Sequence, residues 1–422
     1  MGRVDKSGFG VSSDKPYSWV QSAVVLIRSV QRRGVRRTIE RIRRELAFPT
    51  TVPGRVVRPL AREIVALVRR PQADAYVSGD AVIRSMAIDR DVLVAFYDLA
   101  VQPVTYDFAW FLCLADLERV EKGLTRLVVL FVPGGCAGVR EEAEDYDRAV
   151  GLAERRARVQ RMLVPMTELI PRCEAILLDQ RESALVVAAR AGGLYPRRYD
   201  PAFPLVHNSA DLNNAARGQE VRRLVAPTSA LESVEAWITE YCSGARIVTI
   251  TLRECAFEPG RNSDIQAWAK LSVELEALGY QPVFVRDTEK VGTSSPLPIA
   301  EAIFHDGASR RVDLRMALYA RAEFNLSVNN GPAALQWLGA GVRYATFKMH
   351  TPVAAGTAYG AMRSRGFAEG SDLHFAGLCE RWIWEPDRIE VLRPVVAAMI
   401  AAVESEARPC NMQNASNRAS SD

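Results

Sequence analysis

The residues best suited to chemistry sit where one apolar run stops. Phe324–Val328 is β-rich, and it breaks at Asn329-Asn330-Gly331-Pro332 before a helix-like run of Ala, Leu and Trp that opens at Ala333. Glycine lets the backbone approach a ligand closely, and proline suits a first helical position, where no amide donor is needed. The free amides of such a turn, through Ala333, together with the helix dipole, form a seat for an anion such as a pyrophosphate. Asn329 or Asn330 adds hydrogen bonds or caps the helix. The same tetrapeptide also reads as an efficient strand-to-helix turn.

Arginines on two similar seams strengthen the anion reading. The run ARIVTITLRE ends in Arg253, and Arg261-Asn262-Ser263 precedes the next helix. QPVFVRD ends in Asp287, followed by Thr288. A guanidinium grips phosphate with two parallel bonds, which makes Arg253 and Arg261 candidates for a diphosphate. Asn262, Ser263, Asp287 and Thr288 become candidates for the nucleotide or sugar attached to it. A base is sought among the carboxylates of YDLAVQPVTYDF. Asp98 closes a strand, and Asp107 falls in the first turn of a helix, where the dipole also favours it as a capping residue. Gly134, Gly135 and Gly138 follow another strand, but their spacing does not fit a dinucleotide fingerprint and reads as a turn.

Other chemistries find no purchase. The four histidines (His207, His305, His350 and His374) are scattered, so no metal site is expected. The seven cysteines contain no C-x-x-C pair and read as reduced thiols of a cytoplasmic protein. There is no Walker, G-x-S-x-G or G-x-G-x-x-G motif, and no apolar run of membrane-spanning length.

The elements that position these residues alternate between strand and helix. DVLVAFYD and RLVVLFV are continuous apolar runs, as parallel strands covered on both faces require. RMLVP and EAILLD read as further strands, and YDFAWFLCLADLERVEKG and RESALVVAARAGG as helices. That is one α/β domain over 88–238. A second, over 239–404, follows from ARIVTITLRE, a helix over 264–279, QPVFVRD, a helix over 310–322, the opening stretch and GVRYATFK; its final helix contains Pro394. The order β-α-β-α-β calls for right-handed crossovers and a doubly wound parallel sheet. Residues 1–15 and 405–422 read as disordered, and 16–87 as a basic helical segment.

Charge is divided along the chain. Residues 1–70 hold 16 Lys/Arg against 5 Asp/Glu, a net +11, whereas the remainder holds 38 against 45, a net −7. Val35, Ile39, Ile42 and Leu46 share one helical face, surrounded by arginines. Such a helix can rest on an anionic membrane surface through residues 28–70, each basic residue adding about 1 kcal/mol, or pack on its own catalytic body. Nucleic acid is disfavoured, because no aromatic platform accompanies the charge.

Taken together, the strand, R-x(7)-R-N-S, a helix ending L-G-Y, a strand ending D-T, and ALYARAEFNLSVNNGPAALQWLGAGV resemble the donor half of GT-B glycosyltransferases, with the lipopolysaccharide heptosyltransferases the nearest pattern. There D-T/S-G-P-x-H before a helix binds the donor diphosphate. Gly331 and Pro332 match directly, while Asn329 and Asn330 replace the acidic and hydroxyl residues and Ala334 the histidine. Arg253 matches the basic residue that follows the first strand of that domain. The resemblance covers about 245–348. It implies two Rossmann-like domains facing a cleft, a nucleotide-diphosphate sugar as donor substrate with no separate cofactor, and a surface-glycan or lipid-linked acceptor. It further implies a metal-independent transfer at the cytoplasmic membrane face. A non-hydrolysing nucleotide-sugar epimerase and a non-catalytic sugar-nucleotide-binding scaffold remain as alternatives on the same fold.

Overall fold

Among the described residues of the computed structural model, ten strands, all paired in parallel, form two sheets. The structure describes residues 91–407 apart from 192, 208, 216–219, 300, 353 and 355. The basic segment, its proposed membrane face at 28–70 and both ends expected to be disordered lie outside the described residues, save the last turn of the final helix.

The first sheet contains β1 (Val92–Asp98), β2 (Arg126–Val132), β3 (Cys173–Leu177) and β4 (Gly193–Tyr195) in the order β3-β2-β1-β4. Every residue of β1 and all but the first of β2 are buried, as expected of apolar runs covered on both faces. The second sheet contains β5 (Arg246–Thr251), β6 (Tyr280–Val285), β7 (Ile303–Phe304), β8 (Phe324–Val328), β9 (Tyr344–Phe347) and β10 (Glu380–Trp382), ordered β10-β9-β8-β5-β6-β7. The chain winds outward from β5 through β6 to β7, then returns to the other flank of β5. That reversal leaves a crevice beyond the carboxyl ends of β5 and β8, the place where open α/β sheets receive ligands. The α/β class expected from the alternating runs is the class observed.

RMLVP is helical rather than extended. A π-turn over Val159–Leu163 continues the helix Leu152–Arg158 and leads into a further turn at Val164–Thr167. Val159, Leu163 and Met166 are buried at steps of four and three, the period of a helix face, and Glu154 binds Arg158 and Arg161 along the other side. Pro165 falls in the first turn of the last piece, where its missing amide costs nothing.

The two sheets share their largest apolar cluster, which runs from Leu93, Phe108 and Phe111 to Leu335, Trp337 and Trp382. Helix α1 (Phe108–Glu121) carries one side of that contact and helix α2 (Ala333–Leu338) the other, with Trp110 and Trp337 rings 6.1 Å apart. Sealing by apolar packing on one side of the crevice leaves the polar strand ends gathered on the other.

Candidate functional site

A cavity of about 810 Å³ opens where the strand ends of the two sheets converge. Its walls come from the segment after β1 (Thr105, Tyr106, Asp107), the segment after β5 (Arg253, Arg261), that after β6 (Asp287, Thr288) and the turn after β8 (Asn329 to Pro332). Nine residues singled out in the sequence therefore meet at one place. Asp98, Asn262, Ser263 and Ala333 are not part of its lining.

The turn after β8 works differently from the expected anion seat. Asn329 Nδ2 donates to the Met349 carbonyl at 3.0 Å, and Asn330 Oδ1 accepts the Ala333 amide at 3.0 Å. The first helical amide is thus already occupied, Ala333 is fully buried, and α2 has only six residues to build a dipole. Gly331 is needed for packing: a Cβ there would come within 3.0 Å of Tyr106 Cδ2. Gly331→Ala is expected to destabilise the fold by about 1 kcal/mol, and the cost should vanish in a Tyr106→Ala background. A double-mutant cycle read by chemical denaturation checks this; an undiminished cost in both backgrounds places the strain elsewhere.

The arginines after β5 carry the charge. Arg253 is nearly buried and donates to the Phe257 and Glu258 carbonyls and to Asn262 Oδ1 at 2.5, 3.0 and 2.5 Å. Among the described residues it has no ion-pair partner. Burial and then the neighbouring Arg261 push its pKa down from the usual guanidinium value. Arg261 pairs with Glu258 at 2.9 Å and donates to the Asn329 carbonyl at 3.0 Å, while its buried Nε finds no partner. Asn262 and Ser263, expected at the ligand, stand behind this wall as loop scaffold. Asn262 brackets Cys255 through both its amide oxygen and nitrogen, and Ser263 exchanges two hydrogen bonds with the Arg253 backbone.

Asp287 accepts the Glu254 amide at 2.7 Å, and burial raises its pKa above the ordinary aspartate range. Thr288 donates to the Ser309 carbonyl at 2.7 Å, so its hydroxyl proton is committed to the fold.

The two candidate bases separate cleanly. Asp98 is 1% exposed and accepts two bonds from Arg181 at 2.6 Å, one from the Tyr199 hydroxyl at 2.7 Å and one from the Ala100 amide at 3.0 Å. Those bonds engage its lone pairs and it is not among the residues lining the cavity, an arrangement that suits a structural anchor better than the base expected from the sequence. Asp98→Ala is expected to cost about 3–5 kcal/mol, the penalty of stranding a partly buried guanidinium. Denaturant unfolding would show it, with ligand affinity of the folded fraction unchanged. Asp107 lines the cavity, is exposed, and makes no side-chain capping bond to α1. Its carboxylate is near enough to Arg365 to favour that guanidinium's charge.

Arg365 is one of several wall residues that the sequence reading missed, with Arg158, Arg161, Arg310 and Arg315. It donates to the Ala361 carbonyl at 3.3 Å and also to the Gly356 carbonyl, and burial, outweighing Asp107, holds its pKa below the usual value. Among the described residues, seven arginines and four carboxylates line the cavity. Arg161 opens the stretch read as a strand, and Arg158 lies just before it; a helical reading places both on the face shared with Glu154. Arg365 follows a short helix, Tyr359–Ser364, that no motif announced.

Among the described residues no helix is long and apolar enough to cross a membrane, and no group of three or more His, Cys, Asp or Glu side chains is placed to hold a metal ion.

No protein-family model matches the chain, and no curated protein matches it. Among solved structures it is similar to a glycosyl transferase family 9 protein from Veillonella parvula, with 11% identity over 76% of this chain and 99% of that one, at a TM-score of 0.41. It is also similar to the E. coli ADP-heptose lipopolysaccharide heptosyltransferase II, with 13% identity over 75% of this chain and 99% of that one, at a TM-score of 0.41. A third is TibC, an iron-containing dodecameric glycosyltransferase from enterotoxigenic E. coli, with 13% identity over 74% and 79% of the respective chains and a TM-score of 0.36. Heptosyltransferases, the proteins that the donor-half motif resembles, are thus among the structures to which the chain is similar.

Proposed function

We propose that the chain is a glycosyltransferase that takes a sugar from a nucleotide-diphosphate donor in the cavity between its sheets. The observation that carries this reading is the pair Arg253 and Arg261 at the carboxyl end of β5: adjacent guanidiniums, one without a carboxylate partner among the described residues and the other with a buried unpaired Nε. A nearly buried cation beside a second, partly buried one is costly, Glu258 pairs only with the second, and a diphosphate offers oxygens to both. Arg365 extends the positive wall toward Asp107.

Glycosyl transfer asks for that arrangement. As the bond between the anomeric carbon and the diphosphate oxygen breaks, negative charge grows on the leaving group and the sugar gains oxocarbenium character. Fixed guanidiniums stabilise the first without reorganising, which is the role assigned to Arg253, Arg261 and Arg365, and they do so without calling on a metal. Asp107 is the residue assigned to take the acceptor hydroxyl's proton. Asp287 and Thr288 then border the nucleotide side. The acceptor is assigned as a surface or lipid-linked glycan, to which the basic segment at 28–70 would bring the chain along an anionic membrane face.

A thermal-shift panel of UDP, GDP, CDP and ADP sugars tests the donor site. Saturation at about 100 times the dissociation constant adds roughly 2.7 kcal/mol of apparent stability. A shift with one nucleotide family supports the reading, whereas a folded protein that responds to none of them defeats it.

A further inference from the structure

Apart from Arg365, one end of the cavity has a chemistry that the diphosphate does not use. Gly356, Thr357, Met362, Arg365, Phe367 and Trp382 form a continuous stretch of wall. Arg365 binds the Gly356 carbonyl and approaches the Met362 sulfur at 3.2 Å, the Phe367 amide donates to the Met362 carbonyl at 3.1 Å, and the Phe367 and Trp382 rings meet 5.1 Å apart. Trp110 and Trp337 continue the aromatic surface, with ring centroids 6.0 Å from Phe367 and 5.0 Å from Trp382 respectively.

Two buried polar atoms on this wall have no partner: the Trp382 indole Nε1–H and the Thr357 hydroxyl. Both residues are 4% exposed. A buried indole N–H is ordinarily hydrogen-bonded, and the neighbouring Trp337 shows the usual arrangement, donating to Thr346 Oγ1 at 2.8 Å. The Thr357 backbone is satisfied on both sides, through its amide to Ala354 and its carbonyl from Thr351, so only the side chain is left over. Aromatic faces beside unmet neutral hydrogen-bonding groups match a ring with apolar C–H faces and an equatorial rim of hydroxyls. An apolar ligand would leave the N–H unmet, and a second anion would find only Arg365, which already faces Asp107.

We infer that the Thr357–Trp382 end of the cavity is a subsite for a neutral hexopyranose ring. It rests on the glycosyl-transfer reading only for which reactant presents the ring, the donor's own sugar or the acceptor's terminal residue.

The test is saturation-transfer NMR with methyl hexopyranosides at tens of millimolar, on the full chain and on Trp382→Phe and Thr357→Val. Thr357→Val keeps the shape of the wall and Trp382→Phe keeps a smaller aromatic ring there; each removes one hydrogen-bonding group, and thermal melts establish that each variant is folded. Wild type is expected to give saturation transfer with at least one hexoside, weakened about fivefold by either substitution, the worth of one neutral hydrogen bond. Displacement of the hexoside by a nucleotide sugar but not by the bare nucleoside diphosphate assigns the ring to the donor. Retention in the presence of both assigns it to the acceptor. No transfer from any hexoside, or transfer unchanged in both folded variants, overturns the subsite. A wild type that binds hexosides but no nucleotide diphosphate would instead remove the donor reading and leave the subsite standing.

Discussion

Arg253→Ala is expected to weaken binding of a nucleoside diphosphate by about 10- to 100-fold, the worth of a hydrogen-bonded charge. In the free protein this guanidinium is 6% exposed and faces three oxygen acceptors of its own loop, none of them charged. The largest charge effect on it comes from another arginine, which disfavours its charge. A diphosphate supplies what is missing, so affinity should depend on this residue more than on the exposed Arg310 or on Arg158, which Glu154 already engages. Lysine at 253 keeps the charge but cannot reach both the Phe257 and Glu258 carbonyls from one ammonium while also meeting a phosphate, so Arg253→Lys should recover only part of the loss. The substitution also removes three struts from the loop at 255–263, and some thermal stability goes with them. Isothermal titration separates the effects: a lower melting temperature with an unchanged dissociation constant would make Arg253 a loop brace and nothing more.

The sequence was most informative where one period dominated. Continuous apolar runs at β1 and β2 left no alternative to buried parallel strands, and their bounds differ from the sequence reading by a residue at most. RMLVP misled because five residues are too few to distinguish strand from helix; the deciding signal, burial of Val159, Leu163 and Met166, extends beyond that window. The strand-end rule brought Arg253, Arg261, Asp287 and Asn329 to Pro332 to one cavity, since polar seams after parallel strands necessarily share an edge of the sheet. It could not say which way each side chain turns. Asn262 and Ser263 fold back to hold Arg253, and Gly331 is glycine because Tyr106 from the other sheet presses on it. That last contact lies between residues more than two hundred positions apart, and no local pattern encodes it. Arg365 escaped for the same reason: its value comes from Asp107 and Arg261, both distant in the chain.

Asp107→Asn is expected to lower kcat by about 10²- to 10⁴-fold while leaving the donor dissociation constant within about twofold. The argument begins with what the carboxylate does not do. At the start of a helix an aspartate ordinarily accepts a backbone amide, yet here the side chain makes no capping bond, and the residue's own amide donates to Thr105 Oγ1 at 3.3 Å. Its main-chain carbonyl is held by His207 at 3.0 Å, which fixes the position of the residue without engaging its oxygens. The carboxylate is therefore anchored, exposed to the cavity, and beside a guanidinium assigned to the leaving group. Asparagine preserves size and polarity but cannot accept a proton, so an acceptor hydroxyl would attack without assistance. The competing view is that Asp107 serves only to orient Arg365. Under that view Asp107→Asn should raise the donor dissociation constant and KM together, with kcat little altered, and Arg365→Ala should reproduce it. Single-turnover rates with saturating donor, set beside equilibrium titration of the same variants, distinguish the two: loss confined to the rate marks a base, and loss confined to binding marks a positioning residue.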